Sequence, residues 1–268
     1  MRIVAIGDNC VDIYTNLGLT FPGGGPVNFA VHAARGGARA SYVGVIGADE
    51  HGRLIRSALE AEGVDTRCLR TADGPTAVAY VRLENGERAF VGSNPGVRYQ
   101  LRVDDAVNAH LAGADLVHTT LDGRVEPHIR AWKESGLRVS FDFSHRYTPE
   151  QLELLPWLDL AFFSGQKIGP DGAEEAVRGF HARGPGIVVM TLGAAGALAF
   201  DGRRLYRQPA ERVEAVDTLG AGDAFMAGFV LTWLRTGDIQ ASLANGAHVA
   251  AGVCTHYGGF GHGMQSLT

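Results

Sequence analysis

Lysine is scarce in this chain: it occurs only at Lys133 and Lys167 among 24 basic residues. A Walker-type phosphate loop needs a Gly-Lys-Ser/Thr ending. Lys133 lies in Trp-Lys-Glu and Lys167 in Gln-Lys-Ile, which excludes that loop. Cysteine is also sparse. Cys10, Cys68 and Cys254 are odd in number and widely spaced, with no Cys-x-x-Cys pair, so no disulfide framework is expected and a reducing cytoplasm is the expected compartment. No segment approaches the ~20 apolar residues of a membrane span. The apolar run that begins at Ile3 meets Asp8 too early for a signal peptide. The ten histidines show no His-Glu-x-x-His spacing, and His118, His248 and His256 read as structural. A net charge of −5 with interspersed signs gives no footprint of a nucleic-acid binder.

What is present is glycine in clusters. The segment Asp217-Thr218-Leu219-Gly220-Ala221-Gly222-Asp223 runs directly into the apolar stretch from Ala224 to Leu234. Glycine lets the backbone turn tightly, and the apolar run reads as a helix. The N–H groups at such a helix start attract an anion, phosphate above all. A carboxylate at Asp223 would repel phosphate, so it needs a separate reason to be there. One reason is a substrate hydroxyl that loses its proton as it attacks phosphorus. The other is helix capping, which aspartate also does well.

At 268 residues the chain can form one or two domains with a substantial core. Apolar runs at Ile3–Ile6, Ala40–Ile46, Leu116–His118, Val139–Phe141, Leu158–Phe163 and Ile187–Thr191 read as buried strands. Between them lie helix-like segments at Pro26–Arg35, Gly52–Ala61, Val125–Ser135 and Gly172–Ala182, with Ala221–Arg235 and Ile239–His256 at the C-terminal end. This alternation predicts an α/β protein, an open and mostly parallel sheet with helices on both faces. One stretch breaks the pattern. Thr76–Leu83 and Arg88–Val91 flank Glu84-Asn85-Gly86-Glu87, a hairpin signal with no intervening helix. Its arm Ala77-Val78-Ala79-Tyr80-Val81 is apolar at successive positions, so both faces want cover. A small lid satisfies this, with one face over a ligand and the other on a second subunit; a hairpin packed on the core is the alternative.

Three further glycine-containing segments stand at candidate ligand positions. Gly23-Gly24-Gly25-Pro26-Val27-Asn28 opens a helix, and Asn28 offers a donor and an acceptor suited to polyol hydroxyls. Gly7-Asp8-Asn9-Cys10-Val11-Asp12 follows the first strand, on the side where open α/β sheets bind ligands. Asp12 there can accept from two neighbouring hydroxyls, although an Asp after a strand is often a turn residue. Thr191-Leu192-Gly193-Ala194-Ala195-Gly196 could hold a ribose or phosphate by its backbone, or be a plain turn before Ala197–Phe200.

Taken together, the clusters make the chain resemble the PfkB (ribokinase-like) carbohydrate kinase family. The N-terminal signature runs from Gly24 to Gly47, through Gly25, Pro26, Val27, Asn28, Ala30 and Gly37, and the C-terminal one from Asp217 to Val230. The resemblance spans essentially the whole chain. It implies a single domain over residues 1–268, with a β lid from about 12–20 and 76–92 that forms a homodimer contact. Asp223 is implied as catalytic base, and Gly220, Ala221 and Gly222 as anion hole. Asp12, Gly24, Gly25 and Asn28 are implied to bind sugar. Thr191, Gly193 and Gly196 match the nucleotide loop, with Ser164 on the same side. ATP with Mg²⁺ is implied, and a monovalent cation is left open.

Ile6-Gly7-Asp8-Asn9-Cys10-Val11-Asp12-Ile13-Tyr14, Phe141-Asp142-Phe143-Ser144 and the short length resemble the branch that phosphorylates the 6-hydroxyl of a fructosamine such as fructoselysine. Fructokinase, ribokinase and nucleoside kinase are the alternatives within the family, and a non-catalytic ligand-binding relative is the alternative outside its chemistry. One departure is local. Many members carry Asn-x-x-Glu where this chain reads Ser164-Gly165-Gln166-Lys167, which leaves the metal contacts unassigned. Lys167 could touch phosphate directly, or Asp171, Glu174 or Glu175 could supply the carboxylate. Asp142 and Arg146 loosely echo an Asp-x-Asn-x-Arg segment of some sugar kinases.

Overall fold

Strands buried on both faces need cover on both faces, and the first strand shows how this chain provides it. In β1 (Arg2–Ile6), Ile3 and Ala5 enter one hydrophobic core while Val4 and Ile6 enter another on the opposite side. The same alternation recurs at Leu160 to Phe163 and at Val188 to Met190. The computed structural model describes residues 1–84 and 87–266, with the backbone alone at 84, 87 and 88.

After β1 come β2 (Cys10–Tyr14), β3 (Leu19–Gly23), α1 (Gly25–Arg35), β4 (Arg39–Gly47), α2 (Glu50–Ala61), β5 (Leu69–Ala72), β6 (Val78–Glu84) and β7 (Glu87–Asn94). Then follow α3 (Asp105–Leu111), β8 (Leu116–Thr120), α4 (Glu126–Glu134), β9 (Val139–Asp142), β10 (Leu160–Ser164), α5 (Gly169–His181) and β11 (Ile187–Thr191). The chain closes with β12 (Ala197–Phe200), β13 (Leu205–Gln208), α6 (Ala221–Thr236), α7 (Ile239–Val253) and β14 (Met264–Gln265).

A nine-stranded sheet has the order β13-β12-β11-β10-β9-β8-β1-β4-β5. It is parallel from β11 to β5, and β12 runs antiparallel to both of its neighbours. Residues of α1, α2, α6 and α7 form one core with it, and residues of α3, α4 and α5 the other. This is the expected α/β architecture. The edge strand β13 and the short helix α3 were not anticipated. Neither carries a long apolar run, and α3 is marked mainly by Asp104, whose side chain accepts the Val107 N–H at 3.0 Å.

The topology turns back beside β1. Strand order reverses between β8 and β4, so chain segments diverge at the carboxyl end of β1, where open α/β sheets form a crevice.

A second, five-stranded sheet has the order β14-β3-β2-β6-β7. The hairpin arms β6 and β7 pair antiparallel, outside the large sheet, as the sequence predicts. The Asn85-Gly86 turn lies outside the described residues. The sheet is larger than the hairpin alone, because β2 pairs parallel with β6 and antiparallel with β3. One face carries its own small core of Tyr14, Phe21, Val81, Leu83 and Leu219. Val81 is therefore an interior residue, at 0% exposure. Exposed apolar residues of the hairpin are Tyr80, Phe90 and Val91, at 38%, 63% and 56%.

Candidate active site

Four chain segments meet at the carboxyl end of β1. The first is Gly7-Asp8-Asn9. Tyr42 of β4 holds it from behind, donating its hydroxyl towards the carbonyls of Gly7 (2.9 Å) and Asp8 (3.0 Å). Asn9 locks the same tyrosine by donating to its oxygen at 3.0 Å and to the Val45 carbonyl at 2.9 Å.

The second segment is the start of α1. Gly24 has φ 108°, a conformation that favours glycine, and a Cβ there would lie 2.7 Å from the Asn9 Cα. Proline in the first turn and an absent side-chain cap leave this helix end to backbone donors. Asn28, one turn in, is 4% exposed and donates through Nδ2 to the Asp223 carboxylate at 2.7 Å. Its Oδ1 is buried without a protein partner.

The third segment is the start of α6. Gly220 has φ 77°, and a Cβ on it would stand 2.6 Å from the Gly259 Cα. Around Gly222 there is open space where a side chain would be. The N–H groups of a helix's first turn have no intrahelical acceptor. Of the three expected donors, Ala221 turns its N–H back to the Thr218 carbonyl at 3.3 Å. That leaves Gly220 and Gly222 as the better-placed pair. Asp223 sits on the same turn, with Oδ1 3.4 Å from the position of a Cβ on Gly25.

The fourth segment, Gly258-Gly259, was missed from the sequence, although six glycines from Gly246 to Gly263 marked the region. Gly259 packs so closely on Asn28 that a Cβ would come within 2.6 Å of Oδ1. Its carbonyl meets His32 Nε2 at 2.9 Å. Burial is the main cause that pushes the His32 imidazole down to about 4, so it is neutral and donates to that carbonyl.

One buried carboxylate joins these parts. Asp217 is 0% exposed. It accepts from the Leu219 N–H at 3.0 Å, the Gly258 N–H at 3.0 Å and the Tyr14 hydroxyl. The turn before α6, the glycine segment and strand β2 of the small sheet are thus tied to one group.

Asp12 projects from β2 and is 3% exposed, with the buried Cys10 thiol 3.7 Å from its Oδ1. Burial first, and then the charges of Asp12 and Asp8, push that thiol well up, so it stays protonated.

Ser164, Thr191 and Gly193 lie at the carboxyl ends of β10 and β11, where Ser164 and Thr191 are register partners. Three strand spacings separate β8 from β11, roughly 14 Å along the same edge of the sheet. Gly193 is exposed and has open space beside it. Gly196 is buried, and a Cβ there would strike the Gln208–Ala210 backbone; packing alone accounts for this glycine. Lys167 is exposed in the turn after β10. Glu174 is bound by Arg178 and Arg207, both at 2.7–2.8 Å, which removes it as the stand-in carboxylate. Among the described residues no group of three or more His, Cys, Asp or Glu is arranged to hold a metal ion.

The pfkB family carbohydrate kinase model matches residues 16–136 and 158–261. Fructosamine kinase FrlD of Bacillus subtilis is 38% identical, over 98% of this chain and 94% of that protein. Fructoselysine 6-kinase of Escherichia coli is 35% identical, over 96% of this chain and 98% of that protein. The structure of Arabidopsis thaliana ribokinase complexed with ribose and ATP superposes with a TM-score of 0.85, at 23% identity, over 96% and 93% of the two chains, and shows a common fold.

This chain belongs to the pfkB family of carbohydrate kinases. It is a phosphotransferase that places a phosphoryl group on a sugar hydroxyl, with ATP as donor.

The neutral His32 makes stability depend on pH. Its folded value of about 4 is below the ordinary histidine value of 6.5. Its contribution is therefore complete above about pH 6.5 and is lost as pH falls towards 4. The stability advantage of wild type over His32→Gln should shrink on acidification, by at most about 1.4 kcal/mol per pH unit in that window. Urea melts at several pH values measure this, and an advantage that grows as pH falls would contradict it.

Proposed function

We propose that the protein transfers the γ-phosphoryl group of ATP to the 6-hydroxyl of a fructosamine such as fructoselysine, with Asp223 as general base. The observation that carries the chemistry is the Asn28–Asp223 hydrogen bond at 2.7 Å, made at the open N-terminus of α6. A base and a set of anion-binding N–H groups stand on one helical turn. The 35–38% identity to a fructosamine kinase and a fructoselysine 6-kinase supports the acceptor class.

ATP supplies the phosphoryl group. The acceptor hydroxyl, held beside Asp223, gives its proton to the carboxylate as its oxygen bonds to phosphorus and the bond to ADP breaks. Asn28 fixes the carboxylate through its Nδ2. The N–H groups of Gly220 and Gly222, with a lesser part for Ala221, stabilise negative charge on the transferred group. Asp12 and the orphaned Oδ1 of Asn28 accept from sugar hydroxyls, which would satisfy the latter. Gly24 lets the loop pack on Asn9, and Gly25 leaves room for the sugar between Thr120 and Asp223. Ser164, Thr191 and Gly193 hold the nucleotide along the sheet edge. Mg²⁺ accompanies the phosphates, with no protein carboxylate assigned to it.

The small sheet acts as a lid over the sugar, and its exposed strip of Tyr80, Phe90 and Val91 packs against a second copy of the chain. The cytoplasm is the proposed compartment, and no helix among the described residues is long and apolar enough to cross a membrane.

The deciding experiment compares kcat/KM for fructoselysine, fructose, ribose and adenosine under the same ATP and Mg²⁺. Fructoselysine should be preferred, and a better rate with any of the others would overturn the acceptor assignment. Asp223→Asn should lower kcat by ~10²–10⁴-fold with ATP affinity nearly unchanged. A variant that keeps more than about a tenth of wild-type kcat would remove Asp223 from the base role. Tyr80→Glu and Phe90→Glu should shift a dimer to monomer in sedimentation. A wild type that is already monomeric at high concentration would remove the dimer contact.

A further inference from the structure

Asp8 is a buried carboxylate that the phosphoryl-transfer scheme does not use. It lies at the end of β1, 7% exposed, and its Oδ1 accepts from the Thr120 hydroxyl at 2.9 Å. Among the described residues it makes no ion pair. Burying a charge with only a hydroxyl and its own backbone N–H beside it is costly, so an acid in this state is usually completed by something else.

Its position says what that could be. Thr120 touches the acceptor cradle, since a Cβ on Gly25 would lie 3.1 Å from the Thr120 methyl and 3.4 Å from Asp223 Oδ1. Thr120 and Gly25 thus link Asp8 to the proposed base in a short chain of neighbours. The backbone of Asp8 is fixed from behind by Tyr42 and Asn9, so its side chain has little freedom to turn away.

The surrounding charges favour a cation. Asp122 and Asp142 stand near Asp8, and the guanidinium groups of Arg98 and Arg146 face them. Arg146 is taken by Asp122 at 2.5 Å. Arg98 bonds the Tyr99 hydroxyl at 2.9 Å, and its Nε is buried with no partner. Three carboxylates thus share two guanidinium groups, of which Arg146 is held by Asp122. Burial and Asp122 raise the Asp8 carboxyl, while Thr120 and Arg98 hold it down. Burial, opposed by the Ser144 N–H and Arg146, pushes Asp142 up to about 6. A bound cation would relieve this local excess of negative charge.

We propose that Asp8 is a specificity residue whose carboxylate receives the secondary ammonium of an N-linked ketose, at the end of the sugar opposite the hydroxyl that faces Asp223. This rests on the fructosamine reading above and names the group that would select it. A neutral ketose or its ether offers no positive charge at that place.

The test uses a matched pair of acceptors, N-butyl fructosamine and the O-butyl ether of fructose, which differ in the charged nitrogen. The readout is the ratio of kcat/KM for the amine to kcat/KM for the ether. Wild type should favour the amine, and Asp8→Asn should reduce that preference by about ten- to a hundredfold, the worth of one charge-assisted hydrogen bond. A merely structural role would lower both substrates together and leave the ratio in place. Thr120→Val, which removes the hydroxyl that orients Asp8, should lower the ratio in the same direction by a smaller factor. This arm serves if Asp8→Asn is poorly folded in a thermal melt. If wild type prefers the amine and both variants keep the full preference, Asp8 is not its reader and the fructosamine assignment stands. If wild type shows no preference for the amine, and none for fructoselysine over fructose, the inference and the reading beneath it fail together.

Discussion

The site depends on the buried carboxylate of Asp217. An uncompensated charge in that place would be costly, and three donors compensate it, one two residues away and two from distant parts of the chain. Leu219 belongs to the turn that starts α6, Gly258 to the glycine segment that follows α7, and Tyr14 to the small sheet. Removing any donor leaves the others to hold an under-satisfied charge, so the three segments behave as one unit. The other contacts of the cradle follow from this. The Gly258-Gly259 backbone is brought onto Asn28, and Asn28 is brought onto Asp223.

The topology does the remaining work. A parallel sheet places the carboxyl ends of its strands along one edge, and the reversal beside β1 opens that edge into a crevice. The proposed acceptor residues gather beyond the end of β1, and the nucleotide candidates at β10 and β11. Because the helices cover both faces, this edge is where polar residues can meet a ligand without breaking either core.

The large sheet was legible because its strands are short, continuous apolar runs flanked by glycine and proline. The starts of α1 and α6 were legible for a different reason, since glycine at a left-handed position is demanded by backbone geometry and shows in the sequence. Tertiary partners left weaker traces. Tyr14 looked like an ordinary strand aromatic, and its hydroxyl bond to Asp217 crosses 203 positions of sequence. Strand β2 is assembled by pairing with β6, and β3 by pairing with β2, so neither announces itself alone. Both faces of the Ala77–Val81 arm were read as wanting cover, because a run of apolar residues does not reveal which face is inside; the structure buries Val81 and exposes Tyr80. Asp8 carried no signal of its own in the segment Gly7–Asp12, and its burial became visible only once Thr120 was placed beside it.

The central claim is that Asp217 joins the small sheet to the phosphate-facing end of α6 as one catalytic unit. A double-mutant cycle with Tyr14→Phe and Asp217→Asn, read on kcat/KM and on unfolding free energy, tests it most directly. The two changes should be strongly non-additive in both readouts, with a coupling of about 1–3 kcal/mol, because each removes the same contact. Additivity within about 0.5 kcal/mol in both would contradict the account.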